Sequence, residues 1–208
     1  MKLFPAISAL LALAAAPAIA SASVFLDFEQ NWDYENPAID NTYAAQGVAF
    51  TNVSGLSNDS SFTYYTNAPS PVGIALASLD GPAYINVAAG VDSSIEFFYT
   101  SSAAVTGAIK AYSDLNGTGT LLGTFNFAAN DLNTFTDTDG TVYPVLDTWT
   151  KGTFNFGGVA KSFDLSATAG VAGFDNLTIS AVPEPESYAL GLVGLGLVGA
   201  IARRRQQA

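Results

Sequence analysis

The 208-residue chain contains no cysteine and no histidine. Without cysteine there is no disulfide scaffold and no thiol nucleophile. Without histidine there is no Ser-His-Asp triad, and the two absences together exclude a zinc finger. Basic residues are scarce, seven against eighteen acids, for a formal charge of -11. A chain of that balance with no basic stripe is unsuited to nucleic acid, where affinity comes from neutralising phosphates. Charge of either sign is thin, at 12% of residues, about half the share of roughly 25% usual in globular proteins. Between the two ends of the chain no stretch sustains a 3.6-residue hydrophobic period, which argues against a helical domain.

The ends carry the long apolar runs. Residues 1–22 read as a secretory signal peptide. Lys2 makes a positive start, Leu3 to Ala16 is apolar, and Pro17 breaks the helix. Ala18-Ile19-Ala20 or Ala20-Ser21-Ala22 then offers small residues for cleavage. The apolar run falls short of the roughly 20 residues that span a bilayer. No cysteine follows it, so lipid attachment is excluded. At the other end, Val182-Pro183-Glu184-Pro185 precedes an uncharged, glycine-rich apolar stretch from Tyr188 to Ala202, closed by Arg203-Arg204-Arg205. The prolines stiffen an acidic approach to the membrane. The arginines form a block retained in the cytoplasm under the positive-inside rule. A span of about 15 residues is short for a bilayer and suits a transient anchor.

This three-part tail, residues 182–208, resembles the PEP-CTERM sorting signal of Gram-negative bacteria. The resemblance implies processing by exosortase, an integral-membrane enzyme that recognises the Pro-Glu-Pro region. It also implies an exported protein, transiently anchored in the inner membrane and then displayed outside the cell, in species that usually make exopolysaccharide.

Residues 23–181 form the remaining domain. Three lysines face sixteen acids there, a net charge of -13, which repels anionic surfaces and attracts divalent cations. Short β-branched and aromatic runs alternate with Gly, Asn, Asp, Ser and Thr clusters. These predict strands near 24–29, 47–53, 61–66, 83–87, 94–100, 105–113, 121–127, 149–156, 161–165 and 171–180. A long loop is predicted over 30–46. Ten short strands without an internal repeat imply an all-β fold, a single jelly-roll-like β-sandwich.

Few residues in this domain point to chemistry. Asp114-Leu115-Asn116-Gly117 reads as a hairpin turn rather than a calcium loop. Asp137-Thr138-Asp139-Gly140 lacks the glutamate an EF-hand needs at its twelfth loop position, where Thr148 stands. The first and last strands carry more. Asp27-Phe28-Glu29 opens the domain and Phe174-Asp175-Asn176-Leu177 closes it. Terminal strands of a jelly roll lie side by side, which would gather Asp27, Glu29 and Asp175. Phe174 and Leu177 both belong in the core, yet a spacing of three puts them on opposite faces. A β-bulge at Asp175 or Asn176 resolves the conflict. Three carboxylates so gathered would be hard oxygen ligands for calcium; otherwise they are solvated edge charges. The opening, the Gly-Val-Ala-Phe segment near position 50 and the closing Phe-Asp-Asn-Leu look like many PEP-CTERM cargo domains. They are also similar to calcium-bearing jelly-roll carbohydrate-binding modules. Trp32, Tyr34, Tyr43, Tyr64, Tyr65 and Trp149 sit among polar residues, as core or rim packing or as sugar-stacking platforms. The expected function is a non-enzymatic structural or adhesive component of the cell surface or exopolysaccharide matrix. The alternatives are a calcium-dependent carbohydrate-binding module and a secreted polysaccharide hydrolase, whose paired carboxylates would do the work.

Overall fold

The computed structural model describes residues 23–181 except 31, 33–36, 59–62, 132, 137 and 138. The signal peptide, the sorting residues 182–208, Tyr34 and Asp137 lie outside the described residues. Eleven strands follow in chain order: β1 (Ser23–Leu26), β2 (Val48–Thr51), β3 (Val53–Leu56), β4 (Ile74–Ala77), β5 (Tyr84–Ser101), β6 (Val105–Tyr112), β7 (Leu121–Phe127), β8 (Thr134–Thr136), β9 (Val142–Pro144), β10 (Thr150–Asp164) and β11 (Ala172–Ala181). All ladder pairings are antiparallel. β8 and β9 form a separate hairpin, and the other nine strands hydrogen-bond into one continuous sheet.

That sheet bends over on itself because its longest strands serve both layers. The first part of β5 pairs with β2 and with the end of β10, which in turn pairs with β6, and β6 with β7. The second part of β5 pairs with β11 and with the start of β10, while β4 and β1 flank β11. The bends fall at Gly90 (φ 91°), Ser93 (φ 56°) and Gly158 (φ 89°), beside the register shifts of the β5–β10 ladder. Strands that cross from layer to layer in this way make the corners of a sandwich. Predicted strands at 83–87 and 94–100, and at 149–156 and 161–165, are therefore each one strand. Conversely, the predicted strand at 47–53 is cut at Asn52. Its left-handed φ of 50° turns the chain from β2 in one layer to β3 in the other. β3, β4 and the β8–β9 hairpin were not predicted. The predicted strand at 61–66 is reduced to one bridge, Tyr65 with Leu146, among the described residues.

The core lies between the layers. β7 does not pair with β5 or β11, yet its Phe125 ring lies 5.4 Å from Phe97 of β5 and Phe127 lies 5.5 Å from Phe174 of β11. Phe127 also stacks on Tyr99 at 4.0 Å. Ile95, Phe97, Phe154, Phe163 and Ile179 are buried in the same core. Aromatic pairs of this kind add to what their buried area contributes. A second, smaller cluster of Leu56, Tyr65 and Ile74, with Trp149 and Leu146 against it, lies apart from this core. The architecture is an all-β sandwich, with its first and last strands side by side: Ser23 pairs with Ser180 and Leu26 with Leu177.

Candidate functional site

The residues singled out at the ends of the domain do come into one neighbourhood. β1 ends at Leu26, and the chain turns sharply at Phe28, whose φ of 55° sends its ring into the core against Tyr43 and Phe50. That turn sets Asp27 and Glu29 on either side of Phe28, and Glu29 N–H donates to Asp27 Oδ1 at 3.2 Å. On β11 the ladder slips between Asp175 and Thr178, and Asn176 adopts φ 51°. The slip lets both Phe174 and Leu177 face the core. It also turns Asp175 inward, where its side chain is fully buried.

The partner of these acids is the loop before β4, which sequence reasoning did not single out. Ser70 N–H donates to Asp175 Oδ2 at 2.9 Å, and its hydroxyl lies 2.8 Å from Asp175 Oδ1 and 2.9 Å from the Asp27 carbonyl oxygen. Asn176 N–H donates to Asp175 Oδ1 at 2.7 Å. Two residues further along the loop, Val72 N–H donates to both oxygens of Glu29, at 3.0 and 3.1 Å. The carboxylates thus fasten a loop over the junction of the first and last strands. Burial pushes the Asp175 carboxyl up to about 6, against the pull of the Ser70 and Asn176 donors. Tyr43 and Tyr65 border the same group. Burial, reinforced by the negative charge of Asp27 on the first and Glu29 on the second, raises both phenols to about 12. The Tyr65 hydroxyl and Asn176 Oδ1 are buried without a hydrogen-bond partner among the described residues. Two of the domain's lysines pair elsewhere, Lys151 with Glu96 at 3.0 Å and Lys110 with Asp164 at 3.9 Å. Among the described residues, no group of three or more acidic side chains is arranged to hold a metal ion.

The remaining candidates take structural places. Asn116 and Asn86 exchange two hydrogen bonds of 2.9 Å, which lock the β6–β7 turn to β5. Trp32 donates its indole N–H to the Phe28 carbonyl at 3.0 Å. Its ring lies so close over Gly55 that a Cβ there would run into it. Tyr43 and Tyr65 are core, and the Trp149 indole N–H donates to the Thr66 carbonyl at 3.0 Å. Tyr64 packs against the smaller cluster. Asp131 was not anticipated. It is buried and accepts from the Thr100 hydroxyl at 3.0 Å and from Asp147 N–H at 2.8 Å, bracing the stretch that carries β8 and β9. Its partners are 31 and 16 residues away, so no local pattern marks it.

β11 ends at Ala181, and the match to a known family begins there. Residues 181–206 match the PEP-CTERM protein-sorting motif. This chain carries a PEP-CTERM sorting motif. The motif implies export, C-terminal sorting with processing by exosortase, and transient membrane anchoring before display at the cell surface. No curated protein matches the chain. Solved structures with a similar fold include the K2 cleaved adhesin domain of Lys-gingipain, with TM-score 0.48 and 12% identity over 76% of this chain and 99% of that one. A carbohydrate-binding module of Cellvibrio mixtus lichenase 5A, in complex with cellotriose, gives TM-score 0.35 and 13% identity over 79% and 100%. The catalytic domain of Agl-KA gives 0.39 and 14% over 76% of this chain and 30% of that one. Likeness at this level assigns neither ligand nor activity.

Proposed function

We propose that residues 23–181 are the cargo of the PEP-CTERM motif: a non-enzymatic β-sandwich delivered to the surface or exopolysaccharide matrix of a Gram-negative bacterium, with a structural or adhesive role. One observation carries the reading. The sorting motif begins on the last residue of β11, at the end of a strand hydrogen-bonded to both β1 and β5. The processed product is then the sandwich itself, with almost no linker. The hydrogen bonds of Asp27, Glu29 and Asp175 support a structural use of those acids.

Intact mass of protein recovered from the cell surface or medium tests the sorting step. The expected product lacks residues 1–22 and Arg203 to Arg205, and a mass that retains the arginines overturns the reading. Replacing Pro183, Glu184 and Pro185 by alanine leaves the protein in the membrane fraction. Saturable binding on a glycan array would move the function to a carbohydrate-binding module. Polysaccharide cleavage lost on a single Asp or Glu substitution would move it to a hydrolase.

A further inference from the structure

Both ends of the domain leave it at one pole. The proposed signal peptide ends one residue before β1, and the sorting motif begins on the last residue of β11. Ser23 pairs with Ser180, and Ala181 pairs with Val91. Val91 also pairs with Ala160, and Asp92 with Val159, at the corner where β5 and β10 bend from one layer to the other. β7 starts beside this corner, with Leu122 packed at the Gly158 bend. The opposite pole lies at the other end of β11, where Ala172 pairs with Ser101 and Leu79 packs on Gly170.

The corner pole turns apolar side chains to solvent. On β1, Val24 and Leu26 pack into the core, and Phe25 between them is more than half exposed. Leu121 is half exposed, and Val159 is exposed as well. Segments 23–26, 87–95, 121–124 and 156–161 hold one acid, Asp92, and one base, Lys161, in a domain of net charge -13. Chain length decides what can cover this pole. Six residues, 182–187, separate β11 from the apolar stretch that starts at Tyr188. Even fully extended they carry the chain no more than about 25 Å from Ala181 to Tyr188. β11 itself is about 30 Å long. A domain standing on its Leu79 pole would hold Ala181 farther from the bilayer than that tether reaches.

We infer that the corner pole, through Phe25, Leu121 and Val159, lies on the lipid surface while the sorting segment anchors the chain, and comes free when that segment is removed. This rests on the anchored stage of the function proposed above. A short tether holds the pole against lipid at a high effective concentration, so three side chains need supply little affinity of their own. Apolar side chains are stabilised at the boundary between headgroups and acyl chains. Once the tether is cut, the charge of -13 opposes a return to an anionic bilayer. Leu79, the most exposed large hydrophobic among the described residues, faces away from the membrane throughout.

The absence of cysteine gives every introduced label a single address. The full-length chain carrying Phe25→Cys, Val159→Cys or Leu79→Cys is labelled with an environment-sensitive dye and placed in nanodiscs of phosphatidylcholine and phosphatidylglycerol. Each variant is checked for the β-rich circular dichroism of the wild type. Spin-labelled lipid should quench the dye on Phe25→Cys and Val159→Cys several-fold more than the dye on Leu79→Cys, although Leu79 is the most exposed of the three. The same variants recovered as processed protein and mixed with the same nanodiscs should show no such quenching. Equal quenching at all three positions, or none at Phe25→Cys and Val159→Cys, overturns the inference and leaves the sorting reading intact, provided the chain is in the nanodisc fraction. Dyes at those two positions that are shielded from aqueous iodide yet untouched by spin-labelled lipid mean that protein, a second copy, covers the pole, which overturns it too. Processed protein quenched as strongly as the full chain overturns the tether as the cause of the contact. A full-length chain that does not enter nanodiscs overturns the anchoring reading, whatever the dyes report.

Discussion

Asp175 is the residue where sequence, packing and electrostatics meet most closely. The bulge needed to bury both Phe174 and Leu177 also buries the carboxyl between them, and its charge is tolerated because Ser70 and Asn176 donate to it. Its carboxyl is raised to about 6 from 3.8, so the folded state holds the proton more tightly than the unfolded chain. Between about pH 4 and pH 6 the native state binds more protons, and stability falls as pH rises through that window. The loss is on the order of 3 kcal/mol for a shift of this size. Thermal melts from pH 4 to 7 should show a steeper decline in wild type than in Asp175→Asn, and parallel profiles would refute the assignment. Ser70→Ala removes a hydroxyl that serves the same carboxylate. It should cost about 1–3 kcal/mol at neutral pH and move the titration upward, since that hydrogen bond favours the charged form. A variant that lost stability without moving the titration would show that the hydroxyl matters only through the Asp27 carbonyl.

At the level of elements, the end of the sandwich depends on one left-handed residue. Asn176 at φ 51° makes the slip in β11, and its side-chain oxygen is buried without a hydrogen-bond partner among the described residues. Asn176→Gly should leave stability unchanged or higher. Asn176→Val, which resists a left-handed backbone, should lose about 1–2 kcal/mol in urea unfolding. Equal midpoints for the two variants would mean the bulge can be rebuilt elsewhere in the strand. β3 makes a comparable prediction. Gly55 lies under the Trp32 indole with no room for a Cβ, so Gly55→Ala must displace the ring and its hydrogen bond to Phe28. A loss of about 1–3 kcal/mol is expected from such overpacking, with a change in tryptophan fluorescence.

For the molecule as a whole, the excess of acids sets the response to ions. A domain of net charge -13 repels itself when compact, so added salt should raise its melting temperature. Calcium and sodium compared at matched ionic strength separate screening from a site. Superimposed curves are the expected outcome, given the hydrogen bonds already made to Glu29 and Asp175. A chelator-reversible excess that Asp175→Asn abolishes would instead place a cation at Asp27, Glu29 and Asp175.

Signals that act over a few residues were legible in the amino-acid order alone. The Pro-Glu-Pro core, apolar stretch and arginine block are a linear pattern. Turn chemistry at Asn116-Gly117 is local, and the broken period between Phe174 and Leu177 announces its own bulge. The pairing of first and last strands followed from the all-β reading. What the tertiary structure decided lies at long range. β3 and β4 were hidden because Val53-Ser54-Gly55-Leu56 and Ile74-Ala75-Leu76-Ala77 are short and show no clear alternation, and they become strands by pairing with each other and with β11. The long β5 and β10 look interrupted in sequence, yet they continue because each half finds partners in a different layer. The role of the strand-end acids was decided by Ser70, 105 residues from Asp175. A hydrogen bond across that separation exists only once the chain has folded, when a buried carboxylate must be satisfied by whichever donors the packing has brought beside it.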